Sequence, residues 1–201
     1  MTEQKNNKNN TYRLVLSAVM VAMATVLSFI QPYSLPMGGS VTLFSMVPII
    51  VVAWLYGTKW GLLTGGVMSI IQLLFGFSNF GYVSGFVAYL VLIFADYVCP
   101  FTLLGLGGIF RGHIKNNTLA ISLGALLVCF LRFLCHFISG ITIWASWADN
   151  KTWKAVILYS LTYNGSYMLP ETIITIVGCV LLSLFLFPRL DENGRLVQKK
   201  K

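Results

Sequence analysis

Charge is scarce in this chain, and acid is scarcer still. Of 201 residues 10% are charged, 14 Lys and Arg against 6 Asp and Glu, while 57% are hydrophobic. A soluble domain carries about 25% charged residues. The composition therefore excludes an ordinary cytosolic enzyme, a disordered chain and a nucleic-acid-binding module. The net charge of +8 does not restore the last, because the basic residues sit at the ends of apolar runs. There is no G-x-x-x-x-G-K-[ST], and so no P-loop for a nucleotide. H-E-x-x-H and G-x-S-x-G are also missing. Only two histidines occur, His113 and His136, and one intramembrane His cannot by itself hold a catalytic metal. The four cysteines (Cys99, Cys129, Cys135, Cys179) lie in apolar segments at spacings that match no zinc pattern, which predicts buried, unpaired thiols. No internal repeat is visible, which argues against transporters built from inverted repeats. These absences predict a protein that is not an enzyme and has no metal site. The length allows one bundle and no second domain of useful size.

What the chain has is apolar length. A transmembrane helix needs about 20 mainly apolar residues. Six segments qualify, at 14–31, 41–56, 61–78, 82–110, 118–140 and 156–187. The second is short, with its most apolar stretch from Val47 to Tyr56; the fourth and sixth exceed one crossing. The first run resembles a signal peptide, but Gln31 and Pro32 end it without a small-residue cleavage site. The reading is an all-α polytopic membrane protein with six transmembrane helices. Residues 1–12 form an N-terminal tail, 13–188 the membrane domain and 189–201 a basic C-terminal tail. With both termini cytoplasmic, eleven of the 14 basic residues face the cytoplasm: Lys5, Lys8, Arg13, Lys59, Arg111, Lys115, Arg189, Arg195 and Lys199 to Lys201. Only Lys151 and Lys154 fall outside, and Arg132 lies within the fifth segment. That asymmetry sets the predicted orientation.

Two carboxylates lie where water does not reach. Glu3, Asp149, Asp191 and Glu192 are in tails or loops, but Asp96 and Glu171 fall inside apolar segments. A carboxylate at mid-helix costs about 3 kcal/mol on insertion scales, so such groups face the bundle interior and have a partner. A salt bridge to Arg132 is the structural alternative to a functional role. In the fourth segment Tyr82, Tyr89 and Asp96 recur every seven residues and share a face, with Tyr97 beside them. Pro100 withholds a hydrogen bond from the Asp96 carbonyl and predicts a kink. Packing and interfacial anchoring account for Tyr82. In the fifth segment Arg132, His136, Gly140 and Trp144 step by four and cover one broad face. In the sixth, Tyr159, Tyr163, Asn164, Tyr167 and Glu171 span an arc of about 140°. Gly165 and Pro170 predict an irregular start to that helix, and an outer aromatic belt accounts for Trp147 and Trp153. Aromatic rings and carboxylates together suit an organic cation. An amide such as Asn164 both donates and accepts, which suits a heterocycle with an amine beside a ring nitrogen.

Four stretches carry a family resemblance: GGSVTLFSMVPIIVVAWLYGTKWGLLTGG (38–66), ADYVCPFTLLGLGGIFR (95–111), LRFLCHFISGITIWASWA (131–148) and LYSLTYNGSYMLPETIITIVG (158–178). From Arg13 to Pro188 the chain resembles the thiamine-specific S-components (ThiT type) of energy-coupling factor (ECF) vitamin transporters. The resemblance implies a six-helix protein of the bacterial cell membrane that captures thiamine from outside with high affinity. Thiamine would be bound as substrate and no cofactor is implied. The implied partners are a coupling transmembrane protein and two ATPase subunits. The implied binding residues are Asp96 and Tyr97 in the fourth helix, Arg132, His136, Gly140 and Trp144 in the fifth, and Tyr159 and Asn164 in the sixth. Asp96 is one carbon shorter than the Glu of another member. Glu171 joins the site on its chemistry and Tyr89 on its heptad spacing. Some members carry a Trp and a Glu near the start of the second helix; Gly39 and Leu43 stand there instead, so those contacts do not transfer.

The first helix carries Ala18-x-x-x-Ala22, a spacing that lets another helix approach closely. The residues alone favour packing within the bundle. The resemblance implies that this motif meets the coupling protein. Gly61 and Gly65 are expected to serve internal packing. The loop at 32–40, with Pro32, Pro36, Gly38 and Gly39, is expected to close the pocket. Two other classes compete: a stand-alone proton-coupled carrier for a small organic cation, and an intramembrane enzyme using Glu171 and His136 as acid and base.

Overall fold

The computed structural model describes residues 2–189, with the side chains of the first turns of helix left aside. The described chain is almost wholly helical. Helix α1 (Thr2–Ser28) leads into a two-stranded ribbon, β1 (Tyr33–Ser34) and β2 (Ser40–Val41). Then follow α2 (Val47–Tyr56) and α3 (Thr58–Phe75). An irregular helix, α4 (Phe86–Gly108), precedes the long antiparallel pair α5 (Asn117–Thr142) and α6 (Trp153–Phe185). Asn116 caps α5 by accepting the amide of Leu119 at 3.1 Å, and Thr152 caps α6 through Ala155 at 3.4 Å.

Among the described residues four helices are long and apolar enough to cross a membrane: Asn10–Ser28, Phe86–Gly108, Asn117–Thr142 and Trp153–Phe185. The second and third expected spans fall short of that measure. Helix α2 has 10 residues, or about 15 Å of rise. Residues 41–46, read as its first turns, are not helical, and Phe44 adopts φ +62°. The reason is burial. Val47 through Leu55 are all buried, so the apolarity of α2 serves a protein interior and need not match the thickness of lipid. In α3 the 18 residues include Lys59, Gln72 and three glycines, which dilute its apolarity. At the other extreme, α1 continues back to Thr2, through most of the segment expected as a tail. The C-terminal tail beyond Arg189 lies outside the described residues.

Backbones meet where side chains vanish. A Cβ on Gly105 would overlap the amide nitrogen of Leu62, and one on Gly124 the carbonyl of Gly107. A Cβ on Gly61 would stand 2.6 Å from the carbonyl of Gly105, and one on Gly65 2.6 Å from that of Phe101. The G-x-x-x-G of α3 thus seats α4 within the bundle. Within α4, residues Leu92–Val98 form a π-helical stretch, and the amide of Cys99 bonds to the carbonyl of Phe94. Pro100 follows directly. Its missing N–H is the local cause, since a wider turn reroutes the neighbouring bonds. The expected irregularity at Pro170 is absent: α6 runs unbroken from Trp153 to Phe185 with Pro170 inside it. The four cysteines are free thiols, and no group of metal-ligating residues gathers among the described residues.

Candidate functional site

The π-helical stretch turns Asp96 inward, where it accepts three bonds from α5 and the turn after it. Its Oδ1 lies 3.1 Å from His136 Nδ1, while Ser139 Oγ and Trp144 Nε1 donate to Oδ2 at 2.7 and 3.0 Å. Arg132 Nε points at His136 Nε2 from 3.4 Å. Taken together, those contacts put the imidazole proton on Nδ1, so a neutral ring joins the carboxylate to the guanidinium. Arg132 also lies over the ring of Phe101, 4.6 Å from its centroid. Asp96 and Arg132 are thus joined through His136 and not by direct contact.

Around this group lies a cavity of about 320 Å³. That is the low end of the small-molecule range. Asp96, Tyr97, Arg132, His136, Gly140, Trp144, Tyr159 and Asn164 all line it. Tyr97 is fixed, donating to the Gly76 carbonyl at 3.0 Å and accepting from Asn79 Nδ2 at 2.8 Å. Gly140 is required by space: a Cβ there would collide with Ser160 Oγ. Trp144 is 9% exposed and meets Tyr82 at 6.3 Å. Tyr82 also meets Trp147 edge-on.

Two residues of the expected set stand elsewhere. Tyr89 is not on the cavity wall and stacks on Phe80 at 5.6 Å. The π-helical stretch between Tyr89 and Asp96 breaks the seven-residue spacing that had put them on one face. Glu171 is 1% exposed and lies behind the wall. Its two oxygens accept the backbone N–H and the hydroxyl of Thr42, each at 2.5 Å, and Ser45 Oγ lies 2.5 Å from the same hydroxyl. Glu171 ties the segment between β2 and α2 to α6.

The loop between α1 and α2 folds across the tyrosines of α6. Tyr163 Oη donates to the Pro36 carbonyl and accepts the amide of Gly39 at 3.2 Å. A Cβ on Gly39 would come within 2.9 Å of both Tyr163 and Tyr167. Met37 holds φ +66° at the tip, with its sulfur 4.0 Å from Tyr159 Oη. Met37, Gly38, Gly39 and Ser40 all line the cavity.

Other residues of the site had weaker signals. Ser139 sits three residues after His136, and helical spacing alone places it on that face. Tyr163 and Tyr167 lie on the α6 arc already traced. Thr42, Ser45, Gln72 and Asn79 have no spacing partner in the sequence, and only tertiary folding brings them to the wall. On α1, Ala18 and Ala22 are exposed, in company with Leu14, Val15, Val19 and Met23.

These features define a multi-pass helical membrane protein with a polar, aromatic cavity of small-molecule size. Residues 14–189 match the model of the thiamine transporter protein family, and the chain belongs to that family. It is 32% identical to the thiamine transporter ThiT of Bacillus subtilis (strain 168), covering 94% of this chain and 99% of that relative. It is 28% identical to the protein of the same name from Lacticaseibacillus paracasei, covering 80% of this chain and 81% of that one. Among solved structures, ThiT from Listeria monocytogenes superposes with a TM-score of 0.71 at 19% identity, covering 88% of this chain and 96% of that one. At that identity the match speaks for the fold.

Proposed function

We infer that this protein is the high-affinity thiamine-binding membrane subunit, the S-component, of an ECF-type transporter in a bacterial cell membrane. It captures thiamine from outside, and partner subunits supply the ATP-driven step. The observation that carries the reading is the cavity itself. A carboxylate held by three donors lines the same cavity as Trp144, Tyr159 and Tyr163. Aromatic faces attract a cationic ring, and the carboxylate balances its charge. The family membership supplies the substrate, thiamine, whose thiazolium is such a ring.

The proposed topology has six crossings and cytoplasmic termini. Arg13 lies 3.8 Å over the ring of Trp60, and Arg111 donates to the carbonyls of Trp54 and Leu55 at the end of α2. Those contacts gather Arg13, Lys59 and Arg111 at one end of the bundle, which supports that orientation. The exposed Ala18–Ala22 face of α1 would meet the coupling protein, which in turn engages two ATPase subunits.

Proteoliposomes separate this reading from a proton-coupled carrier. Vesicles with the chain alone should bind radiolabelled thiamine and accumulate none. Adding the coupling protein, the ATPases and ATP should start uptake that an uncoupler does not abolish. Uncoupler-sensitive accumulation by the chain alone would overturn the proposal.

A further inference from the structure

The end of the bundle that holds Arg13 gathers cations without gathering acids. Arg111 is engaged with the backbone: it donates to the carbonyls of Trp54 and Leu55 at the C-terminal end of α2, where the helix dipole favours positive charge. Arg13 and Lys59 are placed differently. The Arg13 guanidinium lies 3.8 Å over the ring of Trp60 and 5.7 Å from that of Tyr56. Trp60 is itself held by α1. Its Nε1 donates to Ser17 Oγ at 2.8 Å, and that hydroxyl donates to the Arg13 carbonyl at 2.8 Å. Stacking engages the flat face of a guanidinium, whereas its five N–H donors lie in the plane at the rim. Lys59, the residue before Trp60, is exposed.

The described acidic side chains are all elsewhere. Asp96 lines the cavity, Glu171 lies behind its wall, and Asp149 is in the loop between α5 and α6, at the far end of α5 from Arg111. Glu3 stands ten residues before Arg13 on α1, about 15 Å of helix rise away. Two cations beside a fixed tryptophan therefore complement an anion from outside the chain, and a guanidinium rim suits the paired oxygens of a phosphate.

The surface beside them says what else the anion carries. Lys59, Leu63, Val67, Ile70 and Leu74 step by three or four along α3, and all five are exposed. From Lys59 to Ile70 the helix rises about 16 Å, the depth of one leaflet of a hydrocarbon core about 30 Å thick. No small residue interrupts this stripe, whereas helices that pack together in a membrane meet at small residues. The stripe thus suits acyl chains, in contrast to the Ala18–Ala22 face of α1.

We propose that Arg13, Lys59 and the exposed stripe of α3 form a binding site for one anionic phospholipid of the adjacent leaflet. The phosphate sits on the Arg13 rim beside Lys59, and an acyl chain runs along Leu63 to Leu74. The site is apart from the cavity and does not depend on which substrate the cavity holds.

The test gives the purified, delipidated chain an equimolar mixture of phosphatidylglycerol and phosphatidylcholine with the same acyl chains, and counts retained lipid by native mass spectrometry. The wild-type chain should favour phosphatidylglycerol by roughly 25-fold, at about fivefold for each of two cations at an anionic surface. Arg13→Gln and Lys59→Gln should each cut that preference by about fivefold. Lys154→Gln removes an exposed cation at the other end of the bundle and should leave the preference within about twofold. Circular dichroism should show unchanged helix content in all three variants. Thiamine affinity should stay within about twofold, since none of these residues lines the cavity. Equal retention of the two lipids by the wild type would overturn the proposal. So would an equal loss in Lys154→Gln, which would reduce the effect to net charge. A wild-type chain that binds no thiamine would overturn the functional reading and leave this site standing.

Discussion

Asp96 is the residue on which the site turns. Three donors converge on it, from His136, Ser139 and Trp144. Asp96→Asn keeps the shape but replaces an acceptor oxygen with a donor and removes the charge. Thiamine affinity should fall by roughly 10- to 100-fold, as expected for bonds to a charged group, with the protein still folded; titration checks this, and unchanged affinity would remove Asp96 from the site. Glu171 should behave differently. It holds Thr42 behind the wall, so Glu171→Leu leaves a buried amide unpaired. That should cost about 1–3 kcal/mol of stability, read as a lower melting midpoint in detergent. Both carboxylates were visible in the sequence as misplaced charges. Their separate tasks were not, because Thr42 is 129 residues from Glu171 and no local pattern links them.

Among the elements, α4 shows what a sequence can and cannot reveal. Pro100 announced an irregular helix, and the face carrying Asp96 was legible. The π-helical stretch was not, and it is what displaced Tyr89 from that face. Helix α2 was legible as apolar but not as enclosed, since lipid and protein interior select the same residues. Pro170 misled in the other direction, because a long helix packed against α5 absorbs one missing bond. The glycines give an element-scale prediction with an internal control. Gly105→Ala forces α4 away from Leu62 and should cost about 1–3 kcal/mol, as overpacking does. Gly165→Ala, on open helix surface, should be neutral or stabilising by up to about 1 kcal/mol. Paired thermal melts compare the two, and equal effects would contradict this account of the α3–α4 contact.

For the whole molecule, Arg13, Lys59 and Arg111 gather at one end of the bundle, and α1 offers an apolar face with small residues at its centre. The proposed function thus puts binding and coupling on separate surfaces. Ala18→Trp should abolish energised uptake in cells while leaving thiamine affinity of the purified chain within about twofold, since Ala18 is exposed and does not line the cavity. Uptake that survives this substitution would misplace the coupling face. The sequence carried the membrane class, the family resemblance and eight of the cavity residues. It did not carry the strap over Tyr163, which exists only once distant segments meet. The central claim is that the cavity beside Asp96 holds thiamine. Titrating the purified chain with thiamine while following tryptophan fluorescence tests it most directly. Tight, saturable binding with strong quenching, lost in Trp144→Phe, is the predicted result; no binding at micromolar thiamine would contradict it.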